Sequence, residues 1–376
     1  MRVGIDISPI RERRAGVGSY CIGLLDGFAD LARVAGSDVP HLLGFATGLH
    51  RPRLPDRFRA LPVRWLPAPT RACYAVWDRL GRPRMDAVLG GLDIVHGTNY
   101  TMPPTRRARR VATVHDLAFL LHPEWANPRA VRFLTQRIRN VCATADHVVA
   151  CSETTRRDVL RLLDVPETQV SVAHEGVDGR FRPMPRAQAQ ALVTQELGIA
   201  EPYFLFVGTI EPRKNLTTLA RAFASVRNEL PHRLVVCGAL GWHTEPILEE
   251  LARLGDGLVR PGYVPGELLP ALYAGAAACL APSWYEGFGL TAIEAMACGC
   301  PVAASTGGSL PEVTGDAALL APPEDEAGWA DALRRLASDE ALRERLSTAG
   351  IERARSFTWR ACAERTLAAY RQALAR

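Results

Sequence analysis

Thirteen short apolar segments, each followed by a turn and most by a stretch of helical periodicity, constrain this chain more than any other feature of it. The first seven are VGIDI (3–7), HLLGFA (41–46), VRWL (63–66), DIVHG (93–97), RVATVH (110–115), HVVACS (147–152) and VSVAHEG (170–176). Six more follow: YFLFVG (203–208), RLVVCG (233–238), LVRPGYV (258–264), AACLAPS (277–283), PVAAS (301–305) and AALLAP (317–322). A strand that is apolar at nearly every position is buried on both faces. That calls for a parallel sheet with helices on either side. Between the two series the text turns to RFRPMPRAQAQ, with mixed polarity and closely spaced prolines, and reads as a linker. A chain of 376 residues also exceeds what one core comfortably holds. The expected fold is α/β, with two Rossmann-like, doubly wound parallel-sheet domains over 1–185 and 186–357. The remaining segment, 358–376, reads as a terminal helix.

With 48% hydrophobic and 23% charged residues the composition is that of a globular protein, not a disordered one. No apolar run approaches the roughly 20 residues that span a bilayer. The start, MRVGIDISPI, reads as a first strand and not as a signal peptide. The nine cysteines include no C-x-x-C pair, and small buried thiols in a reducing compartment are the simplest reading. The expected location is therefore cytoplasmic. Charge divides unevenly: residues 1–186 hold 28 arginines against 18 acids, while the rest holds 17 basic residues against 22 acids. A basic first half suits an anionic membrane surface or a pyrophosphate-linked partner. The densest run, Arg106 to Arg110, lacks interleaved aromatic residues, so no nucleic acid partner is expected. Trp65, Tyr74 and Trp77 offer either a lipid-facing patch or, more commonly for aromatic residues, core.

The segment with the most chemistry is SWYEGFGLTAIE (283–294). It follows an apolar strand, turns on Gly287 and Gly289, and enters a helix closed by Gly299. A strand–glycine loop–helix unit aims the first free N–H groups of the helix and its positive dipole end at one point, which suits a phosphate. Glu294, one turn inside, can reach back to a ribose hydroxyl, and Glu286 on the loop can reach a second polyol. A single nucleotide-sugar would satisfy all three features. Lys214 is the only lysine beside 44 arginines, and it stands in GTIEPRKN (208–215) directly after an apolar strand. There a compact point charge is wanted more than a planar fork. His115 and Asp116 end another apolar strand, and His96 and Asn99 end the one before it. Ligands of parallel sheets collect at such carboxyl ends.

The stretch SWYEGFGLTAIEAMACGCPV resembles the E-x7-E region of retaining GT-B glycosyltransferases of family 4, and GTIEPRKN is typical of the bacterial mannosyltransferase-like branch. The resemblance runs over nearly the whole chain. It implies the GT-B architecture, with the donor in a cleft between an N-terminal acceptor domain and a C-terminal donor domain. It also implies a terminal helix that crosses back onto the first domain. Catalytic roles fall on His115, Arg213, Lys214 and Glu286. Donor binding falls on Gly16, Gly18, Gly208, Tyr263, Val264, Gly287, Phe288, Gly289, Leu290 and Glu294. Acceptor contacts fall on His96, Asn99 and Asp116.

The resemblance further implies a front-face displacement that retains anomeric configuration. A hexose, with mannose from GDP-mannose favoured, passes to a glycan or lipid-linked saccharide. No D-x-D triplet occurs, so no metal and no other cofactor are expected, and Arg213 and Lys214 take the diphosphate charge. Transfer of rhamnose or another hexose from dTDP- or UDP-sugars is the alternative. A pyridoxal-phosphate phosphorylase would need a Schiff-base lysine, for which only Lys214 is available. A non-catalytic nucleotide-sugar binding protein is disfavoured because both glutamates and the Arg–Lys pair are kept.

Overall fold

All thirteen apolar segments form strands, and every strand pairs in parallel. A computed structural model describes residues 1–10, 16–35, 39–200 and 202–376. The chain divides into two units: Met1–Leu120, Arg129–Gly176 and Thr358–Arg376 form the first, and Leu121–Pro128 with Val177–Phe357 the second. The proline-bearing stretch before residue 186 thus belongs to the second unit, as does the short segment Leu121–Pro128.

The first unit holds β1 (Arg2–Asp6), β2 (His41–Thr47), β3 (Val63–Leu66), β4 (Ile94–Gly97), β5 (Arg109–Val114), β6 (His147–Ala150) and β7 (Val170–Val172). Their order is β3-β2-β1-β4-β5-β6-β7, so the direction of winding reverses between β1 and β4. Val3, Ile5, Ile94, Val111 and Val149 lie in one core with Tyr20, Leu24 and Phe28 of helix Gly16–Ala35. Helix Trp359–Leu374 adds Trp359, Ala363 and Tyr370 to that core. The two helices meet closely because Gly23 and Gly27 have no side chains. A Cβ on Gly23 would lie 2.0 Å from the Trp359 ring. Thr358 opens the terminal helix by accepting the Ala361 N–H on its hydroxyl.

The second unit holds β8 (Tyr203–Val207), β9 (Arg233–Cys237), β10 (Leu258–Gly262), β11 (Ala278–Ala281), β12 (Val302–Ser305) and β13 (Ala318–Ala321). The order β10-β9-β8-β11-β12-β13 places its reversal between β8 and β11. Phe204, Phe206, Leu234 and Val236 pack against Leu219 and Phe223 of helix Leu216–Val226 and against Trp329, which is fully buried. All nine cysteines are free thiols, and all but Cys73 are buried. Among the described residues, no helix is long and apolar enough to cross a membrane.

Candidate functional site

In the second unit, the loops after β8 and β11 leave neighbouring strands at the point where the winding reverses. This is the usual ligand position of an open α/β sheet. The loop after β8 tightens into the turn Pro212–Lys214, and Asn215 follows with φ at 54°. Asn215 is buried, and its side-chain amide donates to the carbonyls of Pro282 at 3.0 Å and Pro323 at 2.6 Å. Those bonds fasten the basic turn to the neighbouring loop. The Trp284 N–H donates to the Arg213 carbonyl at 2.9 Å and closes the junction.

Within this frame Glu286 is the hub. Its Oε1 accepts from Lys214 Nζ at 2.5 Å and from the Ser283 hydroxyl at 2.6 Å, and its Oε2 accepts from Arg213 Nη1 at 2.8 Å. Arg213 also holds Glu211, which is buried, at 2.8 Å. Two cations therefore face two carboxylates. Burial would raise the Glu286 pKa, but Lys214, Arg213 and the Ser283 hydroxyl outweigh it and hold the carboxyl at about 2. A second glycine loop supports the first. Gly308, at φ 61°, sits where a Cβ would come 2.4 Å from the Glu286 carbonyl oxygen, and Ser309 donates its N–H to that same oxygen at 3.0 Å.

Helix Leu290–Ala297 begins at Gly289, whose φ of 97° favours glycine. The first turn of this helix follows directly on the loop that carries Glu286. Phe288 is buried edge-to-face against Phe357, so its side chain belongs to the core. Glu294 stands half-buried one turn into the helix, and the Tyr273 hydroxyl donates to its Oε2 at 3.3 Å. Gly208 lies beside Lys214: a Cβ there would be 3.7 Å from the lysine Cε. Tyr263 is 44% exposed on the loop after β10, whereas Val264 is buried.

In the first unit, His115 follows β5. Its Nδ1 lies 3.0 Å from Glu175 Oε1, and its Nε2 donates to the Thr98 carbonyl at 2.9 Å. Burial alone would lower the pKa of the ring. The Glu175 hydrogen bond and charge, the Thr98 carbonyl and Asp116 outweigh it, and the pKa is raised above the ordinary value. Among the described residues, one group of metal-capable side chains lies within 4.8 Å of one another: His115, Cys151 and Glu175. Hydrogen bonds already engage them, since the Cys151 thiol donates to the His115 carbonyl at 2.9 Å.

His96 differs from the acceptor contact expected of it. It is fully buried, with Nδ1 2.7 Å from the Tyr370 hydroxyl and Nε2 2.8 Å from the Thr113 hydroxyl. Burial and the neighbouring His115 push its pKa down to about 3, so it is a neutral core histidine. Asn99 is half-buried, and Asp116 Oδ1 accepts the Ala118 N–H at 3.1 Å. Gly16 begins its helix exposed, while Gly18 is buried with space for a Cβ only 3.0 Å from the Pro9 carbonyl. The arginine-rich start of that turn, residues 11–15, lies outside the described residues. Trp77 is buried in the core, while Trp65 and Tyr74 are half-buried, and Trp65 donates its ring N–H to the Gly48 carbonyl at 2.9 Å.

Residues 15–180 match the model of the family described as Glycosyltransferase Family 4, and residues 201–339 match that of Glycosyl transferases group 1. The O-antigen chain mannosyltransferase B of Escherichia coli is 35% identical over 285 residues, which cover 74% of each chain. The chain belongs to glycosyltransferase family 4. A D-inositol 3-phosphate glycosyltransferase of Nocardioides is 37% identical over 257 residues, covering 62% of this chain but only 55% of that one. Among solved structures, sucrose-phosphate synthase from Thermosynechococcus elongatus superposes with a TM-score of 0.77 at 24% identity, over 100% of this chain and 99% of that one. That likeness concerns the fold, which is GT-B.

Four residues of this family 4 glycosyltransferase escape a reading of its sequence: Glu175, Glu211, Ser283 and Gly308. Thr306-Gly-Gly-Ser309 follows an apolar strand much as Glu286-Gly-Phe-Gly289 does, and that repeated pattern was the available signal for Gly308. Nothing local marks Glu175, whose partner lies 60 positions away.

Proposed function

We propose that this glycosyltransferase moves a hexose, mannose from GDP-mannose in the first instance, to a glycan or lipid-linked saccharide with retention of anomeric configuration. The observation that carries the reading is the convergence of Arg213 and Lys214 on Glu286 at the reversal point of the second sheet. A departing nucleoside diphosphate gains negative charge as the glycosidic bond breaks. Two fixed cations beside a helix N-terminus can stabilise that charge as a divalent ion would. When the diphosphate draws Arg213 and Lys214 onto itself, Glu286 is released toward the sugar hydroxyls and the oxocarbenium-like carbon.

On this reading Gly208 and the loop Gly287–Leu290 leave room for the phosphates, Gly16 and Gly18 serve donor binding, and Glu294 holds the ribose. Tyr263 and Val264 border the base, His115 acts at the sugar, and Asn99 and Asp116 meet the acceptor. The Escherichia coli relative named as an O-antigen chain mannosyltransferase supports mannose and a growing saccharide. The D-inositol 3-phosphate relatives favour a second reading, a small phosphorylated polyol as acceptor. Incubation with GDP-mannose and a mannose-terminated oligosaccharide, followed by proton NMR of the new anomeric centre, tests the first. An α-linked product supports retention from the α-linked donor, and a β-linked product refutes it. Turnover only with UDP- or dTDP-sugars would replace mannose, and transfer to inositol 3-phosphate alone would establish the second reading.

A further inference from the structure

His115 is gripped from every side. Thr98 offers a carbonyl oxygen to Nε2 at 2.9 Å, and a carbonyl can only accept. Nε2 must therefore carry a proton. Glu175 offers a carboxylate oxygen to Nδ1 at 3.0 Å, and a carboxylate also accepts. Facing an ionised Glu175, the ring donates from both nitrogens, which only the imidazolium can do. The residue's own carbonyl accepts from the Cys151 thiol at 2.9 Å and the Thr155 hydroxyl at 3.2 Å. Tyr20 of helix Gly16–Ala35 meets the ring edge-to-face, with centroids 4.6 Å apart.

We propose that Glu175 is a positioning residue that fixes His115 as an imidazolium, so that His115 serves the transfer reaction as a fixed cation and not as a proton-transfer group. This rests on the reading that places His115 in the transfer site. Glu175 itself is buried, on the segment that follows β7. Asp116, next in the chain, adds negative charge near the ring. The thiols of Cys21 and Cys362, which lie near Glu175, have pKa values raised by burial and stay neutral. Tyr20 likewise stays a phenol, its hydroxyl 2.8 Å from that of Thr113, and His96 stays neutral. Among these groups Glu175 is the one hydrogen-bonded to the ring. A histidine with both N–H groups engaged has no lone pair for a substrate proton. Its contribution is the field of a held positive charge, close to where a phosphate or a sugar hydroxyl would lie.

The test joins NMR to kinetics. Long-range proton–nitrogen correlation spectra of the wild-type protein at pH 7.5, with His115 assigned by its loss in His115→Gln, should show both ring nitrogens protonated. A neutral ring there overturns the proposal. In Glu175→Gln burial is no longer outweighed by the Glu175 hydrogen bond and charge, so the ring should titrate well below its wild-type value. Turnover of GDP-mannose with the saccharide acceptor should follow that curve, closest to wild type at low pH and falling about tenfold per pH unit above the midpoint. Glu175→Asp should restore the wild-type profile in part, and it carries the test if Glu175→Gln does not fold. An equal loss at every pH would mean that Glu175 only holds the structure and would overturn the proposal. Wild-type turnover in His115→Gln would instead remove His115 from the transfer site, and the positioning role with it, even if the ring proves protonated.

Discussion

Lys214 Nζ lies 2.5 Å from Glu286 Oε1, joining the single lysine of the chain to the first glutamate of the E-x7-E motif. Lys214 is a compact, half-buried donor beside Arg213, which donates Nη1 to the other oxygen of the same carboxylate. Lys214→Arg should therefore fail as a replacement, because a fork cannot occupy the place of a point donor without displacing Arg213. Loss of one preorganised charge at a reacting centre lowers kcat by about 100-fold to 1000-fold. Steady-state rates of the arginine and methionine variants measure this, and near-wild-type rates for either would separate Lys214 from the chemistry.

Glu286→Gln leaves the two cations without the carboxylate they share. Breaking one side of a buried ion pair costs about 3–5 kcal/mol, so the variant should melt well below the wild type. A nucleoside diphosphate should then stabilise it more than it stabilises the wild type, while turnover collapses. The sign with pH is also fixed. The folded carboxyl sits at about 2, below its unfolded value, so its contribution is present above about pH 4.3 and is lost as pH falls toward 2. The wild type should lose stability across that window, and the variant should lose less, in melting curves taken between pH 5 and pH 2.

Gly308→Ala tests the support of the loop. The left-handed backbone at φ 61° costs an alanine about 1 kcal/mol, and its Cβ would press on the Glu286 carbonyl oxygen at 2.4 Å. The loop must shift, and Glu286 with it. A lower melting temperature with at least a tenfold loss of kcat is expected, whereas alanine at exposed Gly16, with nothing within 4 Å, should leave stability near wild type.

His96 should behave as core. Its folded pKa of about 3 lies below the ordinary 6.5, so the unfolded chain takes up the proton first as pH falls. Stability is lost between about pH 6.5 and 3, with a slope of up to about 1.4 kcal/mol per pH unit. His147 and His232, also held neutral by burial, add in the same direction. His96→Gln should flatten that slope and lower the melting temperature while leaving acceptor KM unchanged. A rise in acceptor KM without loss of stability would return His96 to the acceptor site.

The contrast between His96 and His115 shows what a sequence makes legible. Both stand at the carboxyl end of an apolar strand, and the alternation of strands and helices was readable because burial on both faces leaves a local signature. Which histidine keeps a polar environment is decided elsewhere. Tyr370, 274 positions from His96, seals that ring inside the core, while Glu175, 60 positions from His115, gives the other its charge. The glycine loop and its two glutamates were legible because their chemistry is compressed into nine residues. The ion pairing of Glu286 was not, since it joins loops that follow β8 and β11, more than 70 positions apart.

The most direct test of the diphosphate site is thermal stabilisation by GDP, UDP, dTDP and ADP, each with and without EDTA, in the wild type and in Lys214→Met. A ligand at a hundredfold excess over its dissociation constant stabilises by about 2.7 kcal/mol, enough to read clearly. The predicted result is a selective shift, largest with GDP, unchanged by EDTA and lost in the variant. A shift that requires a divalent metal, or one that survives unchanged in Lys214→Met, would contradict a diphosphate held by Arg213 and Lys214.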